Sequence, residues 1–126
     1  MRRDLDERGL PEGYPLQEGV EISPREASER LGSGEDDFVL LDIREAGEVA
    51  QARVEGAVHV PLSELGARLS ELDIEEDTPI GVLCHRGVRS MSVAALLREQ
   101  GFSGARSVAG GIDLWSLAVD QGVPRY

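Results

Sequence analysis

The chain has 126 residues, a size that fits one domain and leaves little room for two. Hydrophobic residues make up 40%, enough for a core and too many for a disordered chain, while aromatics at 4% leave that core to Leu, Val, Ile and Ala. With 24 acidic against 13 basic residues the net charge is −11, which argues against a nucleic-acid partner and against docking on anionic lipid, since both need a basic face.

No apolar run approaches the roughly 20 residues of a membrane span. Residues 1–10 are charged and lack the apolar stretch of a signal peptide. A cytoplasmic protein without a membrane partner is the expectation. Every Lys/Arg position is Arg, so Schiff-base and P-loop lysine chemistry are excluded. The single cysteine, Cys84, rules out an intrachain disulfide. Cys84, His59 and His85 are the only soft ligands, too few for a structural zinc site, and no metal or cofactor is expected.

In chain order, residues 1–19 are polar and interrupted by Pro11, Gly13 and Pro15. They read as an N-terminal arm that lies on the domain or is partly mobile, and residues 20–126 form the domain proper. Residues 20–22 suit a short edge strand. Ser23, Pro24 and Glu26 form a helix-start signature, with a cap, a first-turn proline and a capping-box acid, and Gly32 and Gly34 stop that helix near Leu31. Residues 38–43 are an apolar run holding Asp42, the pattern of a strand buried on both faces. Residues 44–51 suit a short helix, and residues 56–61 a short strand ended by Pro61. Leu62, Leu65, Leu69 and Leu72 follow at helical spacing, with Ser63 placed to cap. Residues 71–77 read as a solvated acidic stretch. Residues 79–83 form the next buried strand, which runs into Cys84-His85-Arg86-Gly87-Val88-Arg89-Ser90. A helix over residues 91–100 stops at Gly101. Residues 105–108 form a last strand, and Gly110-Gly111 opens a helix carrying Ile112, Leu114, Trp115 and Leu117.

This alternation predicts an α/β fold with a mostly parallel central sheet flanked by helices on both faces. Ligands of such sheets sit beyond the carboxyl ends of the strands, where Cys84 lies. A loop between strand end and helix start turns backbone N–H groups inward, and the helix dipole adds positive charge. Arg86 and Arg89 add formal charge, and each effect favours thiolate over thiol. Gly87 permits a tight cradle, Val88 is expected to face away from the anion, and Ser90 is placed either to cap the helix or to donate to the sulfur. The local reversal of sign in an acidic chain points to an anion site.

The segment Cys84–Ser90 resembles the active-site loop of single-domain rhodanese sulfurtransferases, and other motifs agree in the expected order. Asp42-Ile43-Arg44-Glu45 is similar to the family's Asp-x-Arg-Glu. Gly56-Ala57 with Pro61 is similar to its Gly-Ala-x-x-x-Pro stretch, and Gly110-Gly111 with Trp115 to its Gly-Gly-x-x-x-Trp. Val119-Asp120 and Val123-Pro124-Arg125-Tyr126 resemble a subgroup of stand-alone members. The resemblance implies that Cys84 takes sulfane sulfur from a small anionic donor such as thiosulfate or a persulfide. A thiol, cyanide or a sulfur-accepting protein then removes it. It implies His85, Arg86, Gly87, Val88, Arg89 and Ser90 as the substrate-binding loop. The alternative within the family is a sulfur-carrier, sensing or binding module without turnover. A phosphatase is disfavoured, because Cys84 to Arg89 is Cys-x4-Arg, whereas the related dual-specificity phosphatases and arsenate reductases carry Cys-x5-Arg. Many members have Gly-His-Ile where this chain has Ala52-Arg53-Val54, which leaves Arg53 as a second basic residue near the site.

Asp42 and Arg44, at a strand end on the same face, are expected to support the loops as an ion pair. Trp115 and His59 are expected to be buried, and His85 is open between a proton donor and a solvent-facing loop residue.

Overall fold

Successive residues of the apolar run after Phe38 leave on opposite faces of a sheet, as the two-residue period of a strand requires. In the computed structural model, which describes residues 5–34 and 37–126, Leu40 joins one core cluster and Leu41 the other. The strands are β1 (Glu21–Ile22), β2 (Val39–Asp42), β3 (Val58–His59), β4 (Ile80–Leu83) and β5 (Ala105–Val108). The helices are α1 (Pro24–Ser33), α2 (Ala46–Gln51), α3 (Leu62–Arg68), α4 (Val88–Glu99) and α5 (Gly111–Ala118), with a 3₁₀ turn over Leu69–Leu72.

All strand pairs among the described residues are parallel, in the order β1-β5-β4-β2-β3. Ala27 of α1 and Ile112 and Trp115 of α5 pack on Leu40, Leu83 and Val108. Leu65 of α3 and Val93, Ala94 and Leu97 of α4 pack on Leu41, Val82 and Ile80. Both faces are therefore covered, and β4, between β5 and β2, is buried along its whole length. No helix of the described residues is long and apolar enough to cross a membrane.

Several boundaries differ from the sequence reading. The first helix runs to Ser33, because Gly32 continues it and Gly34, at φ 66°, supplies the left-handed end. Residues 44 and 45 stay outside α2, since Arg44 is drawn into the interior and Glu45 serves as the N-terminal cap position. Ser63 does not cap α3. The Leu62 N–H already donates to Ile43 O at 2.9 Å, so the helix begins at Leu62. The Ser63 hydroxyl donates instead to Glu45 Oε1 at 3.0 Å. Helix α4 starts three residues before the expected Met91, because Gly87 adopts φ 93° and turns the chain directly into the helix.

The arm packs on α5. Leu10 is fully buried in a cluster with Ala109, Leu114 and Ala118, against which Leu5, Tyr14 and Leu16 also rest. Arg25 ties this layer together by donating to Ala118 O at 2.9 Å and Asp6 O at 2.8 Å. Residues 1–4, the start of the arm, lie outside the described residues.

Candidate active site

Helix α4 begins at the mouth of the central strand, and its first N–H groups have no partner within the helix. The Cys84 sulfur supplies one. Gly87 N–H donates to Cys84 Sγ at 3.1 Å and Ser90 N–H at 3.4 Å, with Ser90 Oγ 3.2 Å from the sulfur. Ser90 Oγ in turn lies 2.6 Å from Ser107 Oγ on β5, and both serines are fully buried. With Ser107 donating to Ser90, the Ser90 hydroxyl is free to donate to a thiolate, so the sulfur gains a third hydrogen-bond donor. Ser90 thus sits inside the first turn and acts on the sulfur rather than capping the helix, since Gly87 holds the cap position. Val88 is 78% exposed and points away from the sulfur, and Arg86 is also exposed. Cys84 itself is 1% exposed, at the base of the loop.

The underside of the loop rests on α5. Ile112 N–H donates to Cys84 O at 2.9 Å and Asp113 N–H to His85 O at 3.0 Å. Such close approach requires Gly110-Gly111, both in the left-handed region; a Cβ on Gly111 would lie 2.5 Å from His85 O and 2.6 Å from Cys84 O. The Gly-Gly pair, read in the sequence as a helix start and as part of a Gly-Gly-x-x-x-Trp motif, is therefore also a support for the loop.

Asp42 and Arg44 form a buried ion pair, with Arg44 Nη2 2.7 Å and Nε 3.0 Å from the two carboxylate oxygens. Arg44 also donates to Ala52 O at 2.7 Å, Glu48 O at 3.3 Å and the Tyr126 hydroxyl at 3.0 Å. Burial works against its charge, and the Asp42 and Tyr126 hydrogen bonds outweigh it, holding the guanidinium protonated. Removing one partner of such a pair costs about 3–5 kcal/mol, because the other is left buried and uncompensated. His59 closes the corner, its Nε2 2.7 Å from Arg44 O. The pair thus welds the loop after β2 to α2 and β3.

Arg89 departs from the expectation of a free loop cation. Glu48 takes it bidentately, at 2.9 and 2.8 Å. The Arg89 hydrogen bonds overcome partial burial and hold the Glu48 carboxyl down at about 2, and Arg89 is raised in turn. The pair is close to neutral, so the local reversal of sign falls to Arg86 and the start of α4. His85 is half-buried: its ring stacks on Tyr126 with centroids 4.1 Å apart, and Nε2 lies 2.8 Å from the Tyr126 main-chain oxygen. Arg53 is exposed and lines a groove with Ala46, Gln51, His59 and Pro124, none of which belongs to the loop. Trp115 is core. Glu48, Ser107 and Tyr126 were not singled out in the sequence. The one available signal was the likeness of the closing Val-Pro-Arg-Tyr to a subgroup of rhodaneses.

The family model described as Rhodanese-like domain matches residues 23–118, most of the chain. The chain belongs to the rhodanese-like domain family. Two maize relatives, "Adenylyltransferase and sulfurtransferase MOCS3-1" and "MOCS3-2", are 32% and 34% identical over 97% and 88% of this chain. The chain spans only about a quarter of their length, 27% and 24% respectively. "Thiosulfate sulfurtransferase GlpE" of Glaesserella parasuis is 39% identical over 76% of this chain and 85% of its own. Among solved structures, the human single-domain sulfurtransferase TSTD1 superposes with a TM-score of 0.64 at 27% identity, covering 77% of this chain and 94% of that one. The Bacillus anthracis CoADR-RHD structure gives a TM-score of 0.71 at 27% identity, over 82% of this chain and 18% of that one. The rhodanese-like family therefore accounts for the α/β fold with its parallel sheet.

Proposed function

We propose that this protein is a sulfurtransferase that carries sulfane sulfur on Cys84. The observation that carries the reading is the set of groups gathered on one sulfur atom: Gly87 N–H and Ser90 N–H donate to Cys84 Sγ, and the Ser90 hydroxyl, which accepts from the thiol, can turn to donate to the thiolate. With thiosulfate as donor, the Cys84 thiolate attacks the outer sulfur. A new S–S bond forms, the bond to the sulfonate sulfur breaks, and sulfite leaves with the electron pair. The product is a Cys84 persulfide anion. A thiophile such as cyanide or a thiolate then attacks the outer sulfur, and the electron pair of the S–S bond returns to Cys84. Charge balances in both steps and no cofactor is consumed. The loop donors stabilise the anionic sulfur throughout, as preorganised dipoles do at a site shielded from water.

Arg86 is the exposed loop cation, and in this reading it draws the anionic donor toward the sulfur in a chain of net charge −11. The six-residue span from Cys84 to Arg89 suits a cradle for one sulfur atom better than one for a phosphate. The likeness to GlpE, named a thiosulfate sulfurtransferase, supports thiosulfate as a donor. Thiocyanate formation from thiosulfate and cyanide tests the proposal. We expect turnover in the parent protein, none in Cys84→Ser, and a raised KM for thiosulfate in Arg86→Ala. Turnover that survives Cys84→Ser contradicts the covalent route.

A further inference from the structure

We infer that Tyr126 is a positioning residue for the Cys84 loop, acting on Arg89 through Glu48 and on His85 directly; its kinetic consequences rest on the sulfur-transfer reading above. The Tyr126 hydroxyl accepts from Arg44 Nη1 at 3.0 Å and donates to Glu48 Oε1 at 3.1 Å. Arg89 Nη2 binds that same carboxylate oxygen at 2.8 Å. Arg44 is fully buried and fixed on Asp42, so the direction of the hydroxyl is set from the interior outward. Because Arg44 can only donate, the hydroxyl proton is left for Glu48. Order passes in this way from the Asp42–Arg44 pair through Tyr126 to Glu48 and so to Arg89.

The other end of the loop is held by the same residue. The Tyr126 ring lies flat on His85 with an interplanar angle of 6°, and its main-chain oxygen is within hydrogen-bonding distance of His85 Nε2. His85 and Arg89 flank Gly87, whose N–H points at the sulfur and whose φ is 93°. A glycine in that conformation is locally free to move, and Tyr126 restrains the chain on both sides of it. The segment carrying Tyr126 has anchors of its own. Val123 is buried, Ser116 Oγ donates to Val123 O, and Arg125 pairs with Asp113 at 2.9 Å. Changes at position 126 therefore leave the rest of the segment in place.

The test compares Tyr126→Phe, which deletes only the hydroxyl, with Tyr126→Leu, which also deletes the stack. Each is made in the parent and in a Glu48→Leu background, which removes the acceptor of the Tyr126 hydroxyl. Two rates are read: thiosulfate turnover, and alkylation of Cys84 by iodoacetamide, which needs no sulfur-transfer activity. In the parent background we expect Tyr126→Phe to raise KM for thiosulfate about fivefold with kcat and thermal midpoint nearly unchanged, and to alter the alkylation rate by a similar factor. In the Glu48→Leu background the same change is expected to move either rate by under about twofold, because the hydroxyl has lost the acceptor through which it acts. Tyr126→Leu is expected to exceed Tyr126→Phe in both backgrounds, since the stack acts on His85 independently of Glu48. Equal effects of Tyr126→Phe in the two backgrounds, no effect in the parent, or a loss that merely follows a lowered thermal midpoint overturns the inference. If the parent protein shows no turnover, the sulfur-transfer reading fails, and the alkylation rates still decide the role of Tyr126.

Discussion

Glu48 takes both terminal nitrogens of Arg89, and this one pairing changes how charge is distributed around Cys84. Its pH dependence follows from the direction of the shift. The carboxyl is held at about 2 against an ordinary 4.5, so its contribution to stability is fully present above pH 4.5 and is lost as pH falls toward 2. Urea unfolding of the parent and of Glu48→Gln checks this. The parent is expected to be the more stable at pH 7, with the gap narrowing by pH 3; a gap that stays constant across that range contradicts the pairing. The residues that touch the sulfur were legible in the sequence because they lie within seven consecutive positions, Cys84 to Ser90. Glu48 and Tyr126 were not. They reach Arg89 and Glu48 across 41 and 78 positions, and an acid near a helix start reads equally well as a favourable dipole partner.

Two helix starts build the site, and they do different work. The first turn of α4 presents its N–H groups to the sulfur, while the first turn of α5 presents its own to the carbonyls of Cys84 and His85. The second set lies under the loop and fixes its height. Gly111→Ala places a Cβ 2.5 Å from His85 O at a backbone φ of 61°, so either the loop lifts or α5 retreats. We expect a loss of on the order of 2 kcal/mol in urea unfolding, from left-handed strain together with the clash. Sulfur transfer by the remaining folded protein is expected to fall as well; parent-like stability and rate would show that the contact carries no load. Element types and order were readable from periodicity and from glycine and proline punctuation. The start of α4 was misplaced because a glycine in the left-handed region can end a loop three residues early, and nothing in the local pattern marks that choice. The cap at Ser63 failed for a similar reason, since the Leu62 N–H finds a partner on Ile43, 19 positions earlier.

Across the whole molecule, the parallel order β1-β5-β4-β2-β3 brings the ends of β2, β4 and β5 to one edge, each delivering a part of the site. Asp42 closes β2, Leu83 leads from β4 into Cys84, and Ser107 of β5 backs Ser90. The α/β class with both faces covered was legible because runs such as Phe38–Ile43 carry apolar residues at successive positions, which only a doubly buried strand accommodates. The closing segment was legible only through the likeness of Val123-Pro124-Arg125-Tyr126 to a subgroup of rhodaneses. Its folding over His85 depends on tertiary contacts of Val123, Arg125 and Tyr126 that no short-range signal encodes. The acidic exterior surrounds a sulfur that two backbone N–H groups hold at the start of α4, and in the proposed reaction this sulfur becomes a persulfide. Intact mass after incubation with thiosulfate, beside Cys84→Ser, tests it most directly. A gain of about 32 Da is expected on the parent alone, removed by cyanide or a thiol. No gain with either thiosulfate or glutathione persulfide, or an equal gain on Cys84→Ser, would contradict it and leave the domain as a binding module.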